Sequence, residues 1–135
     1  KPGDEVILSP WTMSACATSI LHWGGIPVFC DIDEKTFNID PKKLEKKITN
    51  KTKAVMAIDF FGQPCDVDEI KKICKKKNIV FICDSAQSIG AKYKNKYTSV
   101  DADVGGYSLN FHKHINTGEG GIIITNQKNQ MKKIH

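Results

Sequence analysis

The stretch DVDEIKKICKKKNIVFICDSAQ (residues 66–87) decides the fold of this chain. In its first half, apolar residues recur among lysines at helical spacing, which predicts an amphipathic helix over residues 66–78 with Asp66 as its N-terminal cap. Apolar residues then run without a break over 79–83, which is typical of a strand covered on both faces. A helix that leads directly into a buried strand predicts a layered α/β domain with a mostly parallel sheet.

The same alternation of short apolar runs and helical patterns extends over the whole chain. It predicts strands at residues 5–8, 27–31, 54–58, 79–83, 104–109 and 121–125, and helices at 12–23, 41–48, 66–78 and from 127 to the end. Gly24 and Gly25 are suited to end the first helix, and Asp40 followed by Pro41 is suited to begin the second. We therefore expect one domain with three layers, α-β-α.

The composition is that of an ordinary globular domain. At 135 residues, with 40% hydrophobic and 26% charged residues, the chain is long enough to bury one core. No apolar run approaches the roughly 20 residues that cross a bilayer, and the first residues lack the layout of a signal peptide. We expect a cytoplasmic protein that does not enter a membrane.

Charge and cysteine content exclude two further classes. Much of the net charge of +5 lies on lysines that alternate with apolar residues at helical spacing, which indicates the solvated faces of helices, so we expect no nucleic-acid partner. The five cysteines are widely spaced and set mostly in apolar segments. They predict neither a disulfide framework nor a zinc site, and we expect buried thiols in a reducing compartment.

Asp84 is the first candidate for chemistry. It follows a buried strand, and ligands of open α/β sheets bind outside the carboxyl ends of the strands. A carboxylate that leaves a buried strand implies a cationic partner. The alternative from position alone is an N-terminal cap for the segment that begins at Ser85, with Gln87 completing a capping box. If Asp84 instead pairs with a cationic ligand, Gln87 adds a neutral hydrogen-bonding group beside that ligand.

The second candidate is Lys113, within the stretch YSLNFHKHINTGEGGIIITN (residues 107–126). Lysines on solvated helices neighbour other charges, whereas Lys113 lies among Leu109, Phe111 and Ile115. Desolvation in apolar surroundings favours the neutral, nucleophilic amine. The glycines that follow predict positive φ or a close approach of the backbone to a bulky group.

The same stretch permits two weaker interpretations. His112 and His114 could point to the same side and bind a metal. No third ligand lies at a convincing spacing, and a metal would leave Lys113 without a role, so we expect no metal. The TGEGG segment precedes a strand, whereas a phosphate-binding P-loop precedes a helix. The lysine is therefore the feature that needs an explanation.

These residues resemble the DegT/DnrJ/EryC1/StrS sugar aminotransferases, which have the type I fold of enzymes that use pyridoxal phosphate (PLP). The similarity runs over essentially the whole chain. Its landmarks, in chain order, are GDEVILSPWT, IPVFCDIDEKTFNID, KKITNKTKAVMAIDFFGQPCDVDEI, ICDSAQSIGAKYKNK and YSLNFHKHINTGEGGIIITN. The resemblance implies that residues 1–135 form the central part of the PLP-binding large domain, without the family's upstream segment and C-terminal small domain.

The resemblance also implies a role for each candidate residue. Lys113 would carry the cofactor as a Schiff base and move a proton at the substrate carbon, and Asp84 would pair with the protonated pyridine nitrogen. Ser108 would hydrogen-bond the phosphate, and Gln87 would lie by the phenolic oxygen or the face of the ring. Counting from Ser108 places Lys113, and not a flanking histidine, in the Schiff-base position.

The chain departs from the family near the first helix. Many relatives place an aromatic ring against the cofactor at the position of Met13, after a threonine. Here Met13 follows Trp11 and Thr12, so either Met13 packs on the ring through its polarizable sulfur or Trp11 replaces it. A simple core position for Met13 is an equal alternative.

The function that the resemblance implies is transfer of an amino group, from L-glutamate, onto a keto group of a nucleotide-linked sugar by a homodimer. A PLP-dependent nucleotide-sugar dehydratase is the alternative enzyme, because some relatives are dehydratases that carry histidine in place of the lysine. A non-catalytic relative that binds or senses is the alternative outside enzymes.

Overall fold

The computed structural model describes residues 1–134. The strands are β1 Glu5–Leu8, β2 Ile26–Phe29, β3 Thr52–Ile58, β4 Val80–Asp84, β5 Lys92–Tyr93, β6 Lys96–Tyr97, β7 Val104–Ser108 and β8 Gly121–Ile124. The helices are α1 Ser14–His22, α2 Pro41–Lys47, α3 Val67–Lys77 and α4 Lys128–Ile134, with a 3₁₀ turn at Phe60–Gly62. Every predicted strand and helix is found, with small differences at the ends. The last predicted helix extends to His135, which lies outside the described residues.

Six strands form the main sheet in the order β2-β1-β3-β4-β7-β8. Neighbours are parallel from β2 to β7, and β8 pairs antiparallel with β7. Because parallel strands share one direction, the carboxyl ends of β1, β3, β4 and β7 lie side by side at one edge of the sheet. The mostly parallel α/β sheet is confirmed.

Two adjacent residues of β1 show how the layers are built. Successive side chains of a strand point to opposite faces. Ile7 is buried in a cluster with Leu44 of α2 and Ile70 of α3. Leu8 is buried in a second cluster with Ile20 of α1. Helices therefore cover both faces of the sheet, which confirms the three layers.

The predicted caps set where α2 and α3 begin. Asp40 Oδ1 accepts a hydrogen bond from Lys42 N at 2.8 Å, and Pro41 occupies the first turn. Asp66 Oδ1 accepts from Glu69 N at 3.4 Å. Each side chain satisfies a backbone N–H that has no partner inside its helix.

Three local features differ from the prediction. The first helix begins at Ser14 and not at Thr12, because Met13 has extended backbone angles (φ −62°, ψ 137°). The 3₁₀ turn after β3 was not predicted, nor was the β5–β6 hairpin. The hairpin turns through Lys94 and Asn95, which both have positive φ. Such turns require left-handed backbone at both central positions, and their usual asparagine–glycine signature is absent here.

All five cysteines are buried free thiols, which confirms the expectation from their apolar segments. Within the described residues, no helix is both long enough and apolar enough to span a membrane.

Candidate active site

Asp84 is the last residue of β4, and both oxygens of its half-buried carboxylate accept hydrogen bonds. Oδ1 accepts from Ala86 N at 3.0 Å, and Oδ2 accepts from the Cys16 thiol at 3.2 Å. Among the side chains that the structure describes (all but those of residues 130 and 133–135), none forms an ion pair with the Asp84 carboxylate. An anion with directed neutral donors and no cation is a candidate partner for a cationic ligand.

The alternative interpretation of Asp84 as a cap for the segment from Ser85 is confirmed in part, because Asp84 accepts from Ala86 N, but that segment is not a helix and the capping box with Gln87 is not formed. The residues from Ser85 to Gly90 form turns and not a helix. The Gln87 side chain does not return to Asp84, because its Oε1 accepts a hydrogen bond from Phe61 N at 3.0 Å. Asp84 instead holds the tight turn at Ala86, as aspartate commonly does after a strand.

Gln87 joins the turn after β4 to an aromatic cluster after β3. The Phe60 and Phe61 rings lie 4.1 Å apart between centroids, and the Trp11 ring lies 5.8 Å from that of Phe60. Trp11 therefore belongs to the same edge as Gln87. Met13 points away from the core, with 68% of its surface exposed, so its interpretation as a core residue is wrong for this chain.

Ser108 is the last residue of β7, the strand beside β4. Asp84 is paired in register with Gly106, so Ser108 lies two residues further toward the same edge. The Ser108 hydroxyl accepts a hydrogen bond from Asn110 N at 3.3 Å. Its own O–H hydrogen has no acceptor among the described residues, which leaves it free to donate to an anionic ligand.

Lys113 lies in the loop between β7 and β8 and is the one residue of 111–120 that is not exposed. Its neighbours His112 and His114 are both exposed. The predicted apolar surroundings are not found, because Phe111 and Ile115 are 61% and 57% exposed. Phe111 and Ile115 therefore do not cover Lys113, although Lys113 is more buried than the histidines on either side.

Backbone and side-chain hydrogen bonds close this loop on itself. Leu109 N donates to Gly120 O at 2.8 Å, and the Asn110 amide donates to both oxygens of Glu119 at 3.0 and 2.9 Å. Gly118 and Gly120 have φ of 85° and 149°, so the expectation of positive φ in this segment is confirmed. The loop is held at its base, and Lys113 lies in its first turn, where its N–H donates to Asn110 O.

Asp59, which follows β3, is a functional candidate to which the sequence patterns assign no role. It is fully buried. Its Oδ1 accepts from Cys65 N at 2.9 Å, and its Oδ2 accepts from Ser85 Oγ at 2.6 Å and Cys83 Sγ at 3.3 Å. Its position at a strand end matches that of Asp84, but only the fold shows that its side-chain donors come from the segment that carries Asp84.

Asp59 also belongs to a group of three possible metal ligands, with Cys65 and Cys83, whose ligand atoms all lie within 4.8 Å of one another. The pKa of the Cys65 thiol lies well above its ordinary value. The hydrogen bond with Cys83 is the larger cause and burial is the second. Cys65 N and the Cys83 thiol both donate to Asp59, so hydrogen bonds link the three residues below the site.

The carboxyl edge of β1, β3, β4 and β7 thus brings together five kinds of chemical group. They are an anionic acceptor at Asp84, a hydroxyl at Ser108, an amide at Gln87, an aromatic surface at Trp11 and, on the loop, the amine of the half-buried residue Lys113. Asp84 and Ser108 are the last residues of their strands, and Trp11 and Gln87 lie three residues beyond theirs, while the position of the Lys113 Nζ depends on the loop. Such a set can hold a planar ligand that carries a cationic nitrogen, an anion and an electrophilic carbon.

Curated relatives align with almost the whole chain. A GDP-perosamine synthase of Escherichia coli O157:H7 is 41% identical over 126 residues, which is 93% of this chain and 35% of that protein. A GDP-4-keto-6-deoxy-D-mannose 3-dehydratase of Yersinia pseudotuberculosis is 40% identical over 128 residues, 95% of this chain and 33% of that protein. The chain therefore spans about a third of the length of the curated relatives it matches.

Solved structures agree with the chain in backbone geometry. An aminotransferase from Psychrobacter cryohalolentis superposes with a TM-score of 0.95 at 37% identity, over 98% of this chain and 34% of that structure. NtdA from Bacillus subtilis, solved with bound cofactor PMP, superposes with a TM-score of 0.90 at 35% identity, over 98% of this chain and 30% of that structure.

Sequence, topology and strand-end chemistry lead to the same assignment. The sequence model of one protein family matches the whole chain, residues 1–135. Because that match covers the strands, the strand-end residues and the Lys113 loop together, this chain belongs to the DegT/DnrJ/EryC1/StrS aminotransferase family.

Proposed function

We propose that the protein is a PLP-dependent aminotransferase in which Asp84 and Lys113 contact the cofactor. The observation that carries this proposal is the Asp84 carboxylate, which is fixed by two neutral donors at a strand end and pairs with no cation among the described side chains. The protonated pyridine nitrogen of PLP is a cation of the right kind. The structure of the relative NtdA with bound cofactor PMP supports the same choice of cofactor.

The other groups at this edge fit the remaining parts of PLP. The Ser108 O–H can donate to the phosphate, and the Gln87 Nε2 amide has no acceptor in the described part of the chain and can donate to the ring oxygen. Trp11 offers a half-exposed ring beside them, whereas Met13 is more exposed and less constrained. We therefore favour Trp11 over Met13 as the side chain that packs against the cofactor.

The bound cofactor supplies an electron sink for the charge left when a proton is removed from carbon. Asp84 would keep the proton on the ring nitrogen, because its carboxylate can accept from that N–H. Lys113 would provide the amine that links to the cofactor. Once displaced by the amino donor, this amine would take the proton from the donor carbon and deliver it to the cofactor carbon within the same half-reaction, and with the acceptor it would carry a proton in the opposite direction.

We further propose that the amino donor is L-glutamate and the acceptor a keto group of a nucleotide-linked sugar, in a cytoplasmic homodimer. The support is the similarity to a GDP-perosamine synthase, a name that implies an amino sugar on a nucleotide. Residues 1–135 then form the central part of the PLP-binding large domain, and catalysis also needs the family's upstream segment and C-terminal small domain. A panel of keto-sugar nucleotides with glutamate would identify the acceptor.

A nucleotide-sugar dehydratase is the second candidate, because a relative of that name is 40% identical. The two candidates differ in the residue that faces the cofactor. In this chain Lys113 is half-buried, whereas His112 and His114 are exposed. A lysine in the inward position favours transamination, because the amine can both form the covalent link and carry the proton.

The deciding experiment compares Lys113→Ala with His112→Ala in the full-length protein after incubation with PLP. Lys113→Ala should remove the visible absorbance of the lysine-linked cofactor and lower amination at least about 1,000-fold, since both the link and the proton carrier are lost. His112→Ala is the matched control and should retain both. Asp84→Asn should retain the link but lower turnover, because the amide cannot balance a ring cation.

Two results would reject the proposal. If Lys113→Ala keeps the absorbance and turnover of the unmodified protein, Lys113 has no covalent role. If the protein removes a hydroxyl from the keto-sugar without consuming glutamate, and His112→Ala or His114→Ala abolishes this reaction, the dehydratase assignment replaces the aminotransferase.

A further inference from the structure

A chain of two hydrogen bonds reaches the Asp84 carboxylate from α1. Cys16 Sγ lies 3.2 Å from Asp84 Oδ2 and 3.3 Å from Thr12 Oγ1. A carboxylate can only accept and a thiol has one hydrogen, so the thiol donates to Asp84. The Thr12 hydroxyl must then donate to the sulfur. Thr12, Cys16 and Asp84 thus form a chain in which every donor points toward the carboxylate.

The thiol is suited to remain a donor. Cys16 is only 7% exposed. The pKa of the Cys16 thiol is raised to about 11, mainly by burial; the Asp84 charge adds to this rise and the hydrogen bond from Thr12 opposes it. Cys16 therefore keeps its proton over the range in which enzymes of this kind operate.

Apolar groups surround the pair on its open side. Asp84 and Cys16 line a groove of about 320 Å³ together with Met56, Ile82 and Val104. One other titratable side chain lines this groove among the described residues, Cys83, and its thiol bonds Asp59 instead. In the described part of the chain, Cys16 is thus the one side-chain donor to Asp84.

We propose that Cys16 is a positioning residue that fixes the Asp84 carboxylate for the cofactor's ring nitrogen, an inference that rests on the proposed function. Ala86 N holds one oxygen and Cys16 holds the other, so the carboxylate cannot rotate freely about its Cβ–Cγ bond. The two anchors belong to different elements, the turn after β4 and the first turn of α1. The lone pairs that remain have a fixed direction, which is what a hydrogen bond to one ring N–H needs.

The experiment on the cofactor uses Cys16→Ala, Cys16→Val and Cys16→Ser in the full-length protein. Cys16→Ala should weaken PLP binding about fivefold, measured by titration of the apoprotein, because one hydrogen bond to a charged group is lost. Cys16→Val should show the same loss while it fills the space, and Cys16→Ser should stay within about twofold because it keeps a donor. Melting temperatures of all variants show whether each is folded.

A second measurement needs no cofactor. Asp84→Asn removes the charge that raises the pKa of Cys16, so alkylation of Cys16 in the apoprotein should reach half its maximal rate at a lower pH than in the unmodified protein. Peptide mapping by mass spectrometry follows Cys16 separately, and Cys30, which lies in the other core cluster, is the control thiol. An unchanged pH profile for Cys16 overturns the Cys16–Asp84 contact.

The outcomes separate this inference from the proposed function. If Lys113→Ala leaves the absorbance unchanged and Asp84→Asn leaves turnover unchanged, the proposed function fails. If those two variants behave as expected while Cys16→Val binds PLP as tightly as the unmodified protein, the positioning role of Cys16 is wrong and the proposed function stands.

Discussion

Ser85 Oγ donates a hydrogen bond of 2.6 Å to Asp59 Oδ2 and so ties the residue after β3 to the residue after Asp84. Asp59 is completely buried and has no cation among its partners in residues 1–134. Neutral donors alone stabilise its carboxylate. The contact fixes the start of the turn that carries Gln87 on one side and Asp84 on the other.

Asp59→Ala should lower the free energy of unfolding by about 3 kcal/mol, because it leaves the Ser85 hydroxyl, the Cys83 thiol and the Cys65 N–H without their acceptor. Urea unfolding followed by circular dichroism measures this loss. Asp31→Ala is the matched control and should change stability little, since the Asp31–Lys43 ion pair is exposed. Equal stability of the two variants would contradict the role of the buried network.

Alanine at two adjacent glycines of β7 should change the stability of the protein by different amounts. A Cβ at Gly105 would lie 2.2 Å from Ser99 Cβ, whereas a Cβ at Gly106 would meet nothing closer than Ile122 O at 4.0 Å. Gly105→Ala should therefore destabilise the protein by about 3 kcal/mol through overpacking, and Gly106→Ala should be close to neutral. Thermal unfolding of the two variants checks the difference.

The clash at Gly105 has a testable remedy. Ser99 has a φ of 68°, a left-handed value at which glycine is favoured, so Ser99→Gly removes the obstructing Cβ at little backbone cost. Adding Ser99→Gly to Gly105→Ala should restore part of the lost stability. A double variant less stable than Gly105→Ala would show that the Ser99 hydroxyl, which lies within hydrogen-bond distance of Cys83 O and Ser85 Oγ, matters more than the clash.

The strands and helices could be predicted because each is specified by its own local pattern. The run over 79–83 and the lysine-spaced helix before it need no distant partner to be recognised. The placement of Asp84 at the ligand-binding edge followed from the same pattern, because strand ends of a parallel sheet share one edge.

The features that the sequence patterns missed depend on distant partners. Phe61 adopts a φ of 51° where its N–H reaches Gln87, 26 residues later in the chain. Asp59 looks like Asp84 in sequence, and only the fold shows that its donors make it a buried support. The exposure of Phe111 likewise depends on which segments cover the loop, and its apolar character alone predicted the wrong surroundings for Lys113.

Stability should fall at alkaline pH because of the buried thiols. Burial raises the pKa of Cys74 to about 12, whereas an unfolded thiol ionises near pH 9. Below about pH 9 both states keep the proton and pH has no effect, and above it the unfolded state alone releases the proton, so stability falls as pH rises toward 12. The stability gap between the unmodified protein and Cys74→Ala should therefore narrow from about pH 8 to about pH 10.5 in urea unfolding. A constant gap would mean that Cys74 ionises equally in both states.

Two substitutions separate the structural role of Gln87 from its proposed role in cofactor binding. Gln87→Glu keeps an oxygen that accepts from Phe61 N but replaces the amide donor, and Gln87→Leu removes both. If the amide donates to the cofactor's ring oxygen, Gln87→Glu should weaken PLP binding about tenfold at an unchanged melting temperature, since a donor is replaced by a negative charge. Gln87→Leu should weaken binding and also lower the melting temperature, because the Phe61 turn loses its anchor. Cofactor titration together with thermal unfolding measures both effects, and normal PLP affinity in Gln87→Glu would restrict Gln87 to the structural role.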